Sequence, residues 1–254
     1  MAWTKKSLIG VAALSLATFA NAQSMTFDTP VTTGNSQAAG TWYTDRYNPA
    51  GFTSPVNFMG DNRLKESISA ADSELNRPTP YNTPFYNYQG RKYDLFANTT
   101  SVSVDMYVAA DWTTTIPRGG SLWGTGVDNL SLTTAYPIIE FASEGGTGRF
   151  RGWDNGSGWV DMGLPTGFAA DQFYTMKIDL VGGNFVYSVG DLTMTSSAFG
   201  STSIANAMLQ GHNDLGGETY DIYWDNLQAV PEPSSIAAVG LGVLAFARRR
   251  RKKS

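Results

Sequence analysis

One short segment carries two glutamates, and glutamate carboxyl groups can act as general acids and bases. Glu140 and Glu144 lie four residues apart, so on a strand they share one face, about 13 Å apart along the chain. Retaining glycoside hydrolysis needs two carboxyl groups only about 5–5.5 Å apart across the substrate. The residue midway between them, Ala142, adds no further acid. The segment therefore favours solvated strand and turn residues over a catalytic pair.

A turn with a tryptophan at each end is a candidate binding element. Trp153 and Trp159 flank the polar, glycine-containing segment 154–158. Exposed tryptophans stack on the C–H faces of sugar rings while nearby Asp and Asn bind hydroxyls, which would make both residues a glycan contact. The alternative is a cross-strand aromatic pair that pins a hairpin or fills the core. The second interpretation is favoured.

Asp28 and Asp225 are candidate ligands for a structural Ca²⁺, provided that the first and last strands lie side by side. Calcium favours oxygen ligands, but the chain has no contiguous calcium-loop motif. The alternative is a pair of edge-strand acids.

His212 is the only histidine, and we expect it in a loop. The absence of cysteine excludes thiolate metal sites, cysteine nucleophiles and disulfides.

The charge of the body argues against nucleic-acid binding. Eight of the 18 basic residues lie at Lys5, Lys6 and 248–253, and one of the 22 acidic residues is Glu232. Residues 24–230 thus keep 10 basic and 21 acidic residues, a net charge near −11. A nucleic-acid binder needs a basic face to neutralise phosphates.

The elements that position these residues are strands. Apolar residues alternate with polar ones in 101–108 and 173–180, and a second alternating strand follows the turn 182–184, which makes 173–189 the clearest hairpin. No stretch of the body sustains an apolar stripe at helical spacing. Several short strands with Gly-rich connections indicate one all-β domain, 23–229, of two packed antiparallel sheets. Further strands are predicted at 63–69, 137–143, 147–153, 158–163 and 220–229, and a long ordered surface loop at 70–92.

Five short segments resemble strands of concanavalin-like jelly rolls. The segments 159–163, 173–178 and 185–191 resemble the central strands of that superfamily. Phe27-Asp28 and 223–227 resemble its first and last strands, which lie beside each other. The resemblance implies a two-sheet antiparallel jelly-roll-like sandwich, with a galactose-binding-like variant included.

The segment 140–144 is also similar to the Glu-x-Asp-x-Glu strand of laminarinase-like retaining glycosidases, which share this fold class. In that family the glutamates serve as nucleophile and acid/base, and the central aspartate tunes them. The similarity would give these roles to Glu140 and Glu144, but Ala142 stands at the central position. This departure favours a non-enzymatic protein.

The N-terminus predicts an export signal, residues 1–22. Lys5 and Lys6 precede the apolar run 8–19, and Ala20-Asn21-Ala22 offers the small residues that signal peptidase recognises. Cleavage is predicted between Ala22 and Gln23. The alternative is a membrane-spanning helix, but the apolar run covers only about 18 Å of a bilayer core of roughly 30 Å.

The C-terminal segment 230–254 has three parts. Pro231-Glu232-Pro233 lacks two backbone donors, so an exposed, extended linker is predicted. The apolar helix 236–247 again covers only about 18 Å, a marginal transmembrane span. A basic cluster follows: Arg248, Arg249, Arg250, Arg251, Lys252 and Lys253. Attraction to anionic lipid and the positive-inside rule predict that this cluster stays in the cytoplasm.

This tripartite tail resembles the PEP-CTERM sorting signal of Gram-negative, often polysaccharide-producing bacteria. The resemblance implies recognition by an exosortase, an integral-membrane cysteine transpeptidase, with processing near 231–233. It also implies transient anchoring in the inner membrane, followed by delivery to the cell surface or an extracellular polysaccharide matrix. An ordinary single-span tail anchor is the alternative.

The sequence thus predicts an exported, exosortase-sorted, non-enzymatic surface or matrix protein. Glycan binding by the body is one form of this hypothesis, and a structural matrix component without a specific ligand is another. The competing hypothesis is an extracellular glycosidase or polysaccharide lyase on the same fold. Exosortase, signal peptidase and extracellular polysaccharide are the expected partners.

Overall fold

A computed structural model describes residues 22–113, 118–143, 147–214 and 216–231. Asn21–Glu232 form one compact unit. The predicted signal helix, apart from Ala22, and the predicted C-terminal helix lie outside the described residues. No helix within the described ranges is long and apolar enough to cross a membrane.

The body is a sandwich of two β-sheets, as the period-two alternation predicts. Each sheet hides one face against the other, because alternate side chains along a strand point to opposite faces. The strands in chain order are β1 Gln23–Met25, β2 Thr33–Gly34, β3 Trp42–Thr44, β4 Gly51–Phe58, β5 Asp61–Ile68, β6 Tyr88–Asp94, β7 Thr99–Val108, β8 Gly119–Val127, β9 Thr133–Ala135, β10 Ile138–Ala142, β11 Arg149–Asp154, β12 Gly158–Gly163, β13 Gln172–Val181, β14 Asn184–Val189, β15 Leu192–Ser197, β16 Ser203–His212 and β17 Tyr220–Pro231. Short 3₁₀ turns occupy Ala70–Asp72, Pro84–Tyr86 and Ala110–Thr113.

The first sheet has eight strands in the order β15-β14-β13-β7-β17-β5-β4, with β1 added beside β17. The second has nine, in the order β12-β11-β10-β8-β16-β6-β3-β2, with β9 added beside β8. Neighbouring strands run antiparallel in the described pairs except for β2 and β3. The many non-consecutive neighbours are jelly-roll crossovers, which carry the chain repeatedly from one sheet to the other.

The strands predicted from the alternation are confirmed, and the first and last strands pair. The first strand is Gln23–Met25, however, so the expectation that Phe27 and Asp28 belong to it is wrong. Met25 of β1 lies opposite Leu227 of β17. The hairpin predicted at 173–189 is β13 and β14, with Leu180 opposite Phe185. The sequence did not predict β2, β3, β4, β8, β9, β15 and β16.

The predicted loop 70–92 is wrong at its end, because Tyr88–Asp94 form β6. The remainder is organised by Arg77, which is 4% exposed. Its guanidinium donates to the Asp72, Tyr81, Thr83 and Asn213 carbonyls and to Asn87 Oδ1. Burying a guanidinium is tolerated because its donors are satisfied. This residue therefore fixes the loop that carries Phe85.

Aromatic and aliphatic side chains from both sheets fill the core. Its largest buried members include Trp42, Trp112 and Trp224, each at most 1% exposed. A carboxyl group also lies in the core: Glu66 is 0% exposed and its Oε2 accepts a hydrogen bond of 2.9 Å from Trp224 Nε1. Burial raises the pKa of Glu66 well above its ordinary value, and the hydrogen bond from Trp224 only partly opposes this.

Candidate functional site

The candidate site is the side of the nine-stranded sheet that faces away from the core, called the outward face here. On β8 and β10, Leu122 and Ile139 belong to the core, whereas Trp123 and Ile138 belong to a separate apolar cluster. The alternation of side chains therefore assigns the outward face every second residue of these strands. The chemistry-bearing residues predicted in 140–159 that the structure describes come together on this face.

A polar row crosses four strands of the outward face in register: Arg151, Glu140, Ser121 and Gln210. Arg151 Nε lies 2.6 Å from Glu140 Oε1, and the two side chains are 7% and 4% exposed. Ser121 Oγ donates to the Gln210 carbonyl at 3.1 Å. Glu140 is thus a buried, ion-paired residue, which corrects the expectation that it is solvated. The alternation could not reveal this, because the partner Arg151 lies on the next strand.

The other two positions of the Glu-x-Asp-x-Glu pattern, 142 and 144, supply no described carboxylate. Ala142 is 5% exposed and lies opposite Gly119 and Arg149. Glu144 is outside the described residues. The part of the outward face that is described thus offers one carboxylate of the segment 140–144, and Arg151 occupies it.

A second row, called the aromatic row here, runs beside the polar row and consists of three tryptophans and two other apolar residues: Trp159, Trp153, Ile138, Trp123 and Met208. Trp153 and Trp159 lie directly opposite each other on β11 and β12, with ring centroids 5.3 Å apart and the planes at 80°. The favoured interpretation of the two tryptophans as a cross-strand pair is confirmed. Both remain half-buried, and the Arg151 guanidinium lies 4.3 Å from the Trp159 ring centroid. Arg151 therefore joins the two rows.

The third tryptophan of this row is covered by a residue that sequence reasoning missed. The guanidinium carbon of Arg46 lies 4.5 Å from the Trp123 ring centroid and 4.6 Å from that of Phe85. Trp123 is 4% exposed. Burial lowers the pKa of Arg46 from its ordinary value, although an arginine stays charged at neutral pH. Cation–π contact of this kind has no signature in a single sequence.

Two buried polar atoms of the outward face have no hydrogen-bond partner within the described part of the chain. These are Trp123 Nε1, a donor, and Gln210 Oε1, an acceptor. Gln210 is 1% exposed, and its Nε2 lies 3.4 Å from Asp45 Oδ2. Buried polar groups usually find partners, so both atoms keep an unused hydrogen-bonding site.

His212 is the last residue of β16, which corrects its prediction as a loop residue. Its ring centroid lies 5.0 Å from that of Tyr88 on β6. The histidine therefore lies at one end of the outward face, in contact with an aromatic ring.

Asp28 and Asp225 have separate partners. Asp225 lies 2.5 Å from Arg63 Nη1 and is 4% exposed. Asp28 is exposed and accepts hydrogen bonds from Thr26 and Asn62. In the described ranges no group of three or more His, Asp or Glu side chains could hold a metal ion.

The residues next to the two predicted processing points belong to the first and last strands of the body, which pair with each other. Gln23 opens β1 and lies opposite Ala229 of β17. Pro231 closes β17, lies opposite Thr99 and is buried. The prediction of an exposed linker is therefore wrong for Pro231, since the final strand of the sandwich extends to it. Glu232, Pro233 and the residues 236–253 lie outside the described part.

This architecture defines an all-β jelly-roll sandwich of the concanavalin type. The catalytic domain of an endo-1,3-beta-glucanase (laminarinase) from Thermotoga petrophila has a similar fold, with a TM-score of 0.53 and 13% identity over 83% of this chain and 98% of that one. The Bacillus licheniformis beta-glucanase gives 0.51 and 16% over 83% and 98%. A sialidase matches at 0.46 and 12%, over 76% of this chain and 17% of its own. These identities establish the fold alone.

The tail completes the identification. The PEP-CTERM protein-sorting motif matches residues 229–252, so the chain carries this signal, and the signal implies an exported protein that exosortase processes. No curated protein matches the sequence.

Proposed function

We propose that the sandwich is a non-enzymatic polysaccharide-binding domain, sorted by exosortase to the cell surface or the extracellular matrix. The observation that carries this proposal is the outward face itself, where three tryptophans lie beside a polar row. Aromatic rings bind the apolar faces of sugars, and adjacent polar groups bind the hydroxyls. Trp153 and Trp159, which remain half-buried, are the rings of this face that a chain of sugars would contact.

The state of Glu140 supports binding without hydrolysis. Arg151 occupies its Oε1 at 2.6 Å, and Ala142 stands where the tuning aspartate of the laminarinase-like pattern would be. Retaining hydrolysis requires a carboxylate nucleophile and a protonated partner about 5–5.5 Å apart. The described part of the outward face supports a binding role better than this chemistry.

The first ligand to test is a neutral β-glucan. The two most similar structures named above are glucanases, one of them an endo-1,3-beta-glucanase. The net charge of the body, near −11, disfavours an acidic polysaccharide. Soluble β-1,3-1,4-glucan is therefore the neutral probe and alginate the acidic comparison.

Binding and reducing-end release are measured on the body, residues 23–231, whose first and last strands pair with each other. We expect glucan binding without new reducing ends. Trp159→Ala should raise the Kd, corresponding to roughly 1–3 kcal/mol for one aromatic contact surface. Phe173→Ala is the matched control, because Phe173 is a half-buried aromatic of the other sheet.

Three other results would contradict the proposal. Release of reducing ends would support the competing glycosidase, and new unsaturated ends would support a lyase. Equal loss of binding in the Trp159 and Phe173 variants would indicate a general effect on folding. Thermal unfolding of both variants distinguishes that case from a specific loss.

A further inference from the structure

The Arg46 guanidinium lies between two aromatic rings on the outward face. It is 4.5 Å from the Trp123 centroid and 4.6 Å from the Phe85 centroid. Trp123 belongs to β8, and Phe85 to the loop that Arg77 holds in place. Together the two rings form an aromatic clamp, defined here as Trp123 and Phe85, with an arginine inside it.

The side chain of Arg46 is held less firmly than the backbone that carries it. Its polar contacts are long: 3.5 Å from Nη1 to the Phe85 carbonyl and 3.6 Å from Nε to Asp45 Oδ2. The flanking residues are better fixed, because Asp45 lies 2.8 Å from Lys92 Nζ and the Tyr47 carbonyl accepts from the Gly90 amide. The guanidinium can therefore leave the clamp while the backbone stays.

A displaced Arg46 has a place to go. The residue borders a cavity of about 350 Å³ that is also lined by Tyr47, Asp72 and Tyr81. Asp72 supplies a carboxylate there, and a carboxylate is the usual partner of a guanidinium. Movement into this cavity would exchange a cation–π contact for an ion pair.

The polar atoms near the clamp lack partners of the kind that a sugar supplies. Trp123 Nε1 is a buried donor and Gln210 Oε1 a buried acceptor, both without a partner in the described part of the chain. A hydroxyl can accept from the first and donate to the second. The guanidinium cannot satisfy the Trp123 donor, because it has no acceptor.

We propose that Arg46 is a displaceable occupant of the aromatic clamp and that the clamp's ligand is a pyranose unit of a neutral polysaccharide. The sugar ring takes the position of the guanidinium between Trp123 and Phe85, and its hydroxyls reach Trp123 Nε1 and Gln210 Oε1. This inference rests on the proposed function and adds to it the specificity site and its regulation. Only molecules in which Arg46 has left the clamp can bind the sugar. The apparent affinity is therefore the intrinsic affinity multiplied by the fraction of such molecules.

The choice of a neutral ligand follows from charge. An acidic sugar would pair with Arg46 and hold it in place, whereas a neutral ring competes with it for the aromatic faces. Asp45 also lies beside the site, within 3.4 Å of Gln210 Nε2. The acidic body gives a further bias against anionic chains.

The test measures the Kd of the body for soluble β-1,3-1,4-glucan in four variants. Arg46→Ala empties the clamp. It should lower the Kd by at least about threefold, because no arginine has to leave the clamp before the sugar binds. Trp123→Phe keeps a ring but removes Nε1–H, and should weaken binding by about three- to tenfold, the loss of one hydrogen bond. Phe85→Ala should weaken it by a similar factor. Phe96→Ala is the control, since Phe96 and Phe85 are 50% and 58% exposed, and should leave the Kd unchanged.

An independent readout follows the indole N–H of Trp123 by nuclear magnetic resonance, assigned by its loss in Trp123→Phe. We expect this signal to shift when a β-1,3-1,4-linked glucotetraose is added, and to shift at lower concentration in Arg46→Ala. Thermal unfolding of each variant verifies that its fold is intact.

The outcomes separate the clamp from the wider proposal. If Trp159→Ala weakens glucan binding but Arg46→Ala and Phe85→Ala do not change it, the clamp is wrong and the binding face stands. If the wild type binds no polysaccharide yet the Trp123 signal shifts in Arg46→Ala, the clamp stands and the proposed function fails. An unmoved signal together with no binding overturns both. Alginate binding that Arg46→Ala abolishes would make Arg46 a ligand contact and overturn its role as a displaceable occupant.

Discussion

Arg151 connects the two rows of the outward face, because it is bonded to Glu140 and stacked on Trp159. Both members of the ion pair are buried, so each charge has lost its hydration and is stabilised by the opposite charge of its partner. Removing one partner of a buried pair leaves an uncompensated charge, which costs more than the pair itself contributes.

Arg151→Met should therefore destabilise the body by about 3–5 kcal/mol, as measured by urea unfolding. The matched control is Arg149→Met. Arg149 pairs with Asp161 at 2.9 Å, but the two side chains are 22% and 60% exposed, so about 0–1 kcal/mol is expected. The double variant Glu140→Gln with Arg151→Met should recover much of the loss. Equal costs for the two arginines would contradict this account.

Glu66 makes the stability of the body depend on pH. Its folded-state pKa is raised by burial, so the folded protein retains a proton that the unfolded chain releases near pH 4.3. The resulting contribution is fully present below the unfolded pKa and is lost as the pH rises through the folded pKa.

Glu66→Gln, which stays neutral and keeps an acceptor for Trp224, should remove this dependence. Its free energy of unfolding relative to wild type should be higher at pH 8 than at pH 4.5. Glu218→Gln is the control, because the Glu218 side chain is 32% exposed. A difference that is the same at both pH values would show that Glu66 does not titrate in this way.

At the scale of elements, the outward face depends on close pairing of β6, β16 and β8. Gly90 of β6 lies opposite Gln210 of β16. A Cβ at Gly90 would lie 2.0 Å from the Leu209 carbonyl oxygen and 2.7 Å from Gln210 Cα. Only glycine allows this approach, because both obstacles are backbone atoms.

Gly90→Ala should destabilise the body by about 1–3 kcal/mol or more, since the strands must separate to admit the methyl group. Gly216→Ala is the control, because its Cβ would meet only Asp214 Oδ1 at 3.6 Å, and should change stability by less than about 0.5 kcal/mol. Chemical denaturation of both variants is the measurement. A Gly90 variant as stable as the control would mean that the two strands are not so tightly apposed.

At the scale of the whole molecule, the sandwich and the sorting motif share a boundary. The motif matches 229–252, and β17 extends to Pro231. The first residue of the Pro-Glu-Pro triplet thus belongs to β17, and recognition of the triplet has to be separated from folding of β17.

Replacing Pro231-Glu232-Pro233 by alanines should leave the protein exported but unprocessed and held in the inner membrane. Replacing only Glu232 and Pro233 should give the same result with β17 intact, which separates recognition from folding. Deleting 248–254 should instead weaken membrane retention, because the apolar span is marginal. Size and fractionation of these variants in an exosortase-competent host are the measurements. Alanine variants that are processed and reach the surface like wild type would leave the tail as an anchor only.

The sequence by itself determined the features that depend on neighbours along the chain. Alternation in 101–108 and 173–189 specified strands, because successive side chains on a strand point to opposite faces. The sorting motif is likewise a linear signal, and its match needs no fold. Strand β8, by contrast, escaped prediction because all nine of its residues are buried. With both faces covered, the polar and apolar alternation disappears.

Only the tertiary structure decided which side chains meet on the outward face. Arg151 and Glu140 come from adjacent strands, and Arg46, Phe85 and Trp123 come from three distant segments. The jelly-roll crossovers bring them together, and no local pattern encodes that order of strands. Burial follows from the same packing, which is why Glu140 is ion-paired and Pro231 is part of a strand. Contacts between distant segments depend on the sheet order, and the sheet order is a property of the whole fold.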